Sequence, residues 1–150
     1  MRKALTEAEA AFERGEVPVG AVLVTGDGMV FRRSNRTRET GRPWAHAEYL
    51  AVDDACRATG DWRLAGSTLY TTLEPCVMCA GLILLARIPL VVYGAWDKRF
   101  GAFGSVADLL RMPGLNHYPE VTGGVLADES SRLLKRFFRN HRGQERSSTC

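Results

Sequence analysis

The chain has 150 residues, a formal charge of +3, 45% apolar residues and 25% charged residues. These values describe one domain long enough to bury a core, and they exclude disordered, collagen-like and coiled-coil chains. No apolar run approaches the ~20 residues of a membrane helix. The start, Met1-Arg2-Lys3 followed by Glu7 and Glu9, lacks a secretory apolar stretch, so the expected compartment is the cytoplasm.

In chain order, Ala4, Leu5, Ala8, Ala11 and Phe12 share one helical face over Met1–Arg14, and Gly15 ends that helix. The β-branched run Val19–Val24 predicts a buried strand. It is joined through Gly26-Asp27-Gly28 to a second strand, Met29–Arg33. Asn35–Pro43 is polar, Arg-rich and aperiodic, so a loop is expected there. Ala45–Thr59 predicts a helix, Thr68–Thr72 a strand, Pro75–Arg87 a helix with proline in its first turn, and Leu90–Gly94 a strand. After the Gly- and aromatic-rich stretch 95–104, a short helix is expected over Val106–Leu110 and a short strand over Glu120–Thr122. Asp128–His141 predicts a helix with Leu133, Leu134, Phe137 and Phe138 as its apolar stripe, followed by a polar, frayed tail over 143–150. Strands alternating with helices indicate an α/β layered domain, and the opening hairpin makes its sheet mixed.

Charge is unevenly placed. Five arginines stand against one glutamate between Arg32 and Arg42, and six basic residues against one glutamate between Arg132 and Arg146. Two basic segments on an acidic body fit either phosphate recognition or ordinary solvated surface.

Two short motifs carry chemistry: His46-Ala47-Glu48 and Pro75-Cys76-Val77-Met78-Cys79, each at the start of a predicted helix. Residues three apart share a helical face, so Cys76 and Cys79 can reach one point, and a helix N-terminus favours thiolate. With His46 they form a three-ligand zinc set that leaves a position open for water. A CxxC redox pair and a structural zinc with a fourth ligand are the alternatives. Two residues from a zinc ligand, Glu48 can take a proton from an activated water and pass it to a leaving group. Cys56 and Met78 are expected to pack, His117 to hold its loop, and Cys150 to have no role.

His-x-Glu followed by Pro-Cys-x-x-Cys is the zinc deaminase signature. The likeness extends through Glu16-Val17-Pro18-Val19-Gly20, Asn35-Arg36, Leu73-Glu74-Pro75, Gly101-Ala102, Gly104-Ser105, Asn116-His117, residues 124–129 and Phe137-Phe138-Arg139. Over 2–142 the chain resembles the bacterial tRNA-specific adenosine deaminases of the cytidine/deoxycytidylate deaminase superfamily. The resemblance implies a three-layer α/β/α sandwich around a mixed five-stranded sheet, a single zinc-dependent deaminase domain over 1–142, one Zn2+ per subunit and a homodimer. It implies His46, Cys76 and Cys79 as ligands and Glu48 as the proton shuttle. The substrate would be the wobble adenosine of a tRNA anticodon stem-loop, converted to inosine. Asn35 would contact the flipped nucleotide and Asp97 its neighbour, while Val17, Pro18 and the Ala47 backbone would form pocket walls. Arg36, Lys98, Arg136, Arg139 and Arg142 are the expected nucleic-acid contacts.

Where the family commonly carries Asp-Pro-Thr-Ala, this chain has Arg42-Pro43-Trp44-Ala45, which makes Trp44 a candidate pocket wall. Trp96 suits base stacking or packing equally, and Phe103 suits packing. Ile83-Leu84-Leu85-Ala86 replaces a more polar family helix face. Two other substrate classes fit the same motifs: free bases or nucleosides such as guanine or cytosine, and single-stranded DNA. A non-enzymatic zinc or redox module is the remaining alternative.

Overall fold

A computed structural model describes residues 1–147, with side chains through 140. Five strands form one sheet in the order β2-β1-β3-β4-β5. They are β1 (Gly20–Val24), β2 (Val30–Ser34), β3 (Thr68–Leu73), β4 (Leu90–Ala95) and β5 (Glu120–Thr122). The hairpin makes β1–β2 antiparallel, and β1 also runs antiparallel to β3. The β3–β4 and β4–β5 pairs are parallel, so the sheet is mixed as expected.

Helices α1 (Arg2–Glu13) and α5 (Ala127–Ser147) cover one face; α3 (Ala47–Thr59) and α4 (Val77–Leu85) cover the other. The strand pleat sorts side chains between these layers. Ala21, Leu23, Leu69, Val91 and Tyr93 join Ala51, Val52, Ala80 and Ile83 in the main core. On the opposite face Gly20 lies under α1, where a Cβ would fall 2.5 Å from the Ala8 amide nitrogen. Gly94 lies under α5, where a Cβ would fall 2.5 Å from Ser130 Oγ. Phe12 and Phe137 then close α1 against α5 edge to face, with centroids 6.0 Å apart. The result is the three-layer α/β/α sandwich that the family resemblance implies.

The differences are local. The stretch read as loop over 35–43 contains a one-turn helix, α2 (Thr37–Thr40). The fully buried Glu16 carboxylate accepts from the Glu39 amide at 2.7 Å and from Thr37 Oγ1 at 3.2 Å. This partner lies more than 20 residues away, so no local pattern announces the turn. No helix forms over Val106–Leu110. Phe103 pairs with Asp108 instead, and a 3-10 turn follows at Leu109–Arg111, capped by the Asp108 side chain. Helix α5 continues past the expected end at His141 to Ser147, into the stretch read as tail. The expectations for the Arg142 side chain and for Cys150 lie outside what the structure describes. Among the described residues, no helix is long and apolar enough to cross a membrane.

Candidate active site

His46 and Cys76 occupy equivalent places, each the N-cap of its helix in extended backbone conformation. The hairpin and β3 bring these two helix starts together on one side of the sheet. His46 Nδ1 lies 3.6 Å from Cys76 Sγ and 3.6 Å from Cys79 Sγ. All three ligand atoms fall within 4.8 Å of one another. Tetrahedral zinc, with bonds of about 2.3 Å to sulfur and 2.0–2.1 Å to nitrogen, sets N···S separations of about 3.6 Å. The donor set therefore fits the metal in geometry as well as in kind.

Electrostatics agree. Hydrogen bonding from Cys79 outweighs desolvation at Cys76 and, with help from His46, lowers its thiol pKa to about 4. The Cys79 thiol is held well above its ordinary range by its bond to Cys76 and by burial. His46 is raised, chiefly by its bond to Cys76. Without metal the pair thus holds one thiolate and one thiol. A bound divalent cation draws both sulfurs to thiolate.

Glu48 sits in the first turn of α3, 4% exposed. Burial raises its carboxyl pKa, and the His46 charge opposes this only in part. The fully buried Thr71 hydroxyl on β3 faces that carboxyl, outside hydrogen-bond geometry. A carboxyl raised in this way can hold a proton in one step and release it in the next.

Asn35 is buried, and its Oδ1 accepts from the Ala47 amide at 2.9 Å, tying the end of β2 to the start of α3. Ala47 is fully buried, Pro18 is buried and Val17 half-buried. Trp44 is exposed, and its carbonyl accepts from the His46 amide at 2.7 Å. Asp97 is half-buried and Lys98 exposed on the segment after β4. Trp96 is exposed but meets Tyr93 edge to face, while Phe103 is in the core. Arg36 pairs with Glu39 at 3.1 Å, Arg136 stacks on Phe12, and Arg139 is exposed. His117 holds its loop, with Nε2 2.8 Å from the Ile88 carbonyl oxygen. Cys56 is half-buried. Met78 departs from expectation: it is exposed, not packed.

Two residues were missed. Glu16 and Glu74 are acidic, 1% exposed, and each grips the backbone of a segment flanking the site. Both lie inside proline-containing motifs, Glu16-Val17-Pro18 and Glu74-Pro75-Cys76. The signal available was an acidic residue one or two positions before a buried proline, Glu74-Pro75 and Glu16-Val17-Pro18.

A mixed sheet that presents His, Cys and Cys ligands with a buried Glu two residues from the histidine defines a zinc-dependent hydrolytic deaminase. The family model described as the cytidine and deoxycytidylate deaminase zinc-binding region matches residues 1–95. The tRNA-specific adenosine deaminase of Bacillus subtilis is 48% identical over 99% of this chain and 92% of its own length. That of Agrobacterium fabrum is 46% identical over 95% and 93%. A solved structure from studies of A-to-I editing by tRNA:A34 deaminases is 48% identical, with a TM-score of 0.85, covering 89% of this chain and 97% of that one. A guanine deaminase from Nitrosomonas europaea is similar at 26% identity and a TM-score of 0.73, over 89% of this chain and 80% of that one. The chain belongs to the tRNA-specific adenosine deaminases of the cytidine and deoxycytidylate deaminase family.

Proposed function

We propose that this protein hydrolyses the wobble adenosine of a tRNA anticodon stem-loop to inosine and ammonia, acting in the cytoplasm where that substrate is found. The observation that carries the reading is the His46-Cys76-Cys79 triangle with buried Glu48 beside it, in a chain 48% identical over nearly its full length to a tRNA-specific adenosine deaminase. The guanine deaminase likeness is weaker in both identity and superposition, which disfavours a free base as substrate. Single-stranded DNA finds no support in the relatives.

His46, Cys76 and Cys79 hold the zinc, which when bound supplies a Lewis acid that activates water for attack on C6 of the adenine. Glu48 accepts the first proton that the water loses and delivers it to ring nitrogen N1; it then takes the second proton from the oxygen added at C6 and gives it to the amine, which leaves as ammonia when the C6–N6 bond breaks. Asn35 has committed its oxygen to Ala47, so its amide nitrogen is the group that donates to the flipped nucleotide. Val17 and Pro18 border the base, with Trp44 at the outer rim. Asp97 meets the neighbouring nucleotide, and Arg36, Lys98 and Arg139 lie towards the phosphates. Zinc-loaded protein should convert the wobble adenosine of an anticodon stem-loop to inosine, releasing ammonia, and leave guanine, cytosine and free adenosine unchanged. Conversion of a free base, with the stem-loop untouched, overturns the reading.

The active unit is proposed to be a homodimer. Helix α4, VMCAGLILL, contains no polar side chain beyond its zinc thiol. Cys79, Ala80, Ile83 and Leu84 bury one side, leaving Val77, Met78 and Leu85 exposed. A helix apolar all round is covered on all sides in the working protein. A second copy supplies that cover, which also accounts for Met78. Leu85 is 71% exposed, so Leu85→Glu should fold normally and sediment as a monomer where the parent protein sediments as a dimer. A parent protein that is monomeric at micromolar concentration would refute the dimer.

A further inference from the structure

We propose that Glu74 is a positioning residue: its buried carboxylate clamps segment 97–105 against the Cys76 end of the site and so fixes where Asp97 stands beside the substrate. The inference rests on the reading above, in which Asp97 meets the nucleotide next to the target adenosine.

Glu74 ends the run from β3 into Pro75-Cys76, one residue before the proline and two before a zinc ligand. Its oxygens accept four hydrogen bonds, all from one short segment. The Asp97 amide donates to Oε2 at 3.1 Å, and the Phe103 and Ser105 amides donate to Oε1 at 3.0 and 3.2 Å. Ser105 Oγ donates to Oε2. A carboxylate offers about four acceptor sites, so this one is saturated. Burying an unpaired carboxylate costs several kcal/mol, which backbone donors of this kind offset.

The backbone continues the same grip. Glu74 N donates to the Ala95 carbonyl at 2.8 Å, Ala102 N donates to the Pro75 carbonyl at 2.9 Å, and Cys76 bridges Gly101. Gly101 is the complement of the clamp. A Cβ there would fall 2.5 Å from Glu74 Oε2 and 2.5 Å from the Asp97 carbonyl oxygen, so only glycine admits the carboxylate. Inside the held segment Asp97 is oriented in turn, because its Oδ1 accepts from the Arg99 amide at 2.9 Å. Without Glu74, Asp97 keeps only its place in the chain after Ala95 and an indirect tie to Cys76, through the Gly101 amide that donates to its carbonyl at 3.0 Å. A shift of about 1 Å in a substrate-positioning group can cost on the order of a hundred-fold in rate. The clamp therefore links substrate discrimination to the PCxxC turn through one side chain.

The test is Glu74→Gln in the zinc-loaded protein, since a glutamine replaces two acceptor sites by N–H donors that face other donors. Amide hydrogen exchange reads the clamp without reference to any substrate. Exchange at Asp97, Phe103 and Ser105 should accelerate at least about ten-fold, while the Glu39 amide, held by Glu16, keeps its rate. On stem-loops differing only at the nucleotide beside the target, KM should rise about ten-fold, well beyond any fall in kcat, and the preference among neighbours should shrink to within about two-fold. Gly101→Ala should reproduce this pattern from the other side of the clamp. Ser105→Ala, which leaves three backbone donors and no strain, should fold as the parent does and give a smaller change in the same direction. Faster exchange with unaltered KM and neighbour preference makes Glu74 purely structural and overturns the proposal, as does unaltered exchange in Glu74→Gln. A parent protein that leaves every stem-loop unconverted defeats the substrate reading instead, and exchange alone then decides the clamp.

Discussion

Glu48→Gln should bind one zinc per chain and lose deamination by about a thousand-fold or more, the upper part of the range for removing a general acid–base group. The loss is large because Glu48 serves both halves of the reaction, first as acceptor and then as donor. It is buried at 4% exposure, so bulk water cannot substitute for it. The same substitution carries a pH signature in metal-free protein. Burial raises the Glu48 pKa in the folded state. Folding then favours the protonated form, so wild-type stability is unpenalised below the ordinary carboxylate range and declines as pH rises through the folded value. Glutamine has no charge to bury. The melting temperature of Glu48→Gln relative to the parent should therefore climb as pH goes from acid towards neutral, with both proteins stripped of zinc. Inosine formation at the parent rate by a zinc-bearing Glu48→Gln protein would falsify the shuttle assignment. A melting difference independent of pH would remove the buried-carboxyl argument.

The parts of this protein that were legible in its sequence are those written in short-range pattern. The apolar face of α1, the β1–β2 hairpin and the strand–helix alternation each repeat within a few residues, and the sheet they predict is the sheet observed. The metal centre was legible for the same reason, because His46-x-Glu48 and Cys76-x-x-Cys79 each lie on one helix start. What was not legible depends on partners distant in sequence. The one-turn helix Thr37–Thr40 exists because Glu16 reaches the Thr37 hydroxyl and the Glu39 amide, 21 and 23 residues away. The helix expected over Val106–Leu110 fails because donors before and inside it are committed elsewhere: Phe103 N and Ser105 N to Glu74, and Val106 N and Ala107 N to the Gly101 carbonyl. Met78 looked like core because its helix is apolar, yet one chain covers only one side of α4. The basic segment Arg32–Arg42 also reads differently once folded, since Arg33 pairs with Asp54 and Arg36 with Glu39, which leaves less free charge than the sequence suggested.

Replacing a zinc ligand should abolish activity together with the metal. Cys79 is the most informative of the three because it is fully buried and holds the proton when no metal is bound. Cys79→Ser puts a poor zinc ligand in that place, so zinc content should fall below about a tenth of an equivalent and deamination below detection. Chelation of the parent protein should do the same reversibly, with activity returning on zinc addition. The metal-free parent then reports how its two sulfurs share charge. Cys76 is lowered to about 4, so thiolate absorbance should persist into mild acid and titrate away with a midpoint near that value. Cys56 is raised by burial and contributes no thiolate there. Cys79→Ala should move the Cys76 midpoint upward, since the Cys79 hydrogen bond is the largest influence holding it down and alanine, unlike serine, has no donor to replace it. Cys76→Ser should erase the acid-stable signal altogether. Zinc must displace the remaining proton from Cys79 and from any protonated His46, so its affinity should weaken as pH falls. A metal-free protein showing no thiolate below pH ~7, where ordinary thiols are protonated, would contradict the shared-proton arrangement. A zinc-free Cys79→Ser protein that still deaminates the stem-loop would sever the link between this triangle and the reaction.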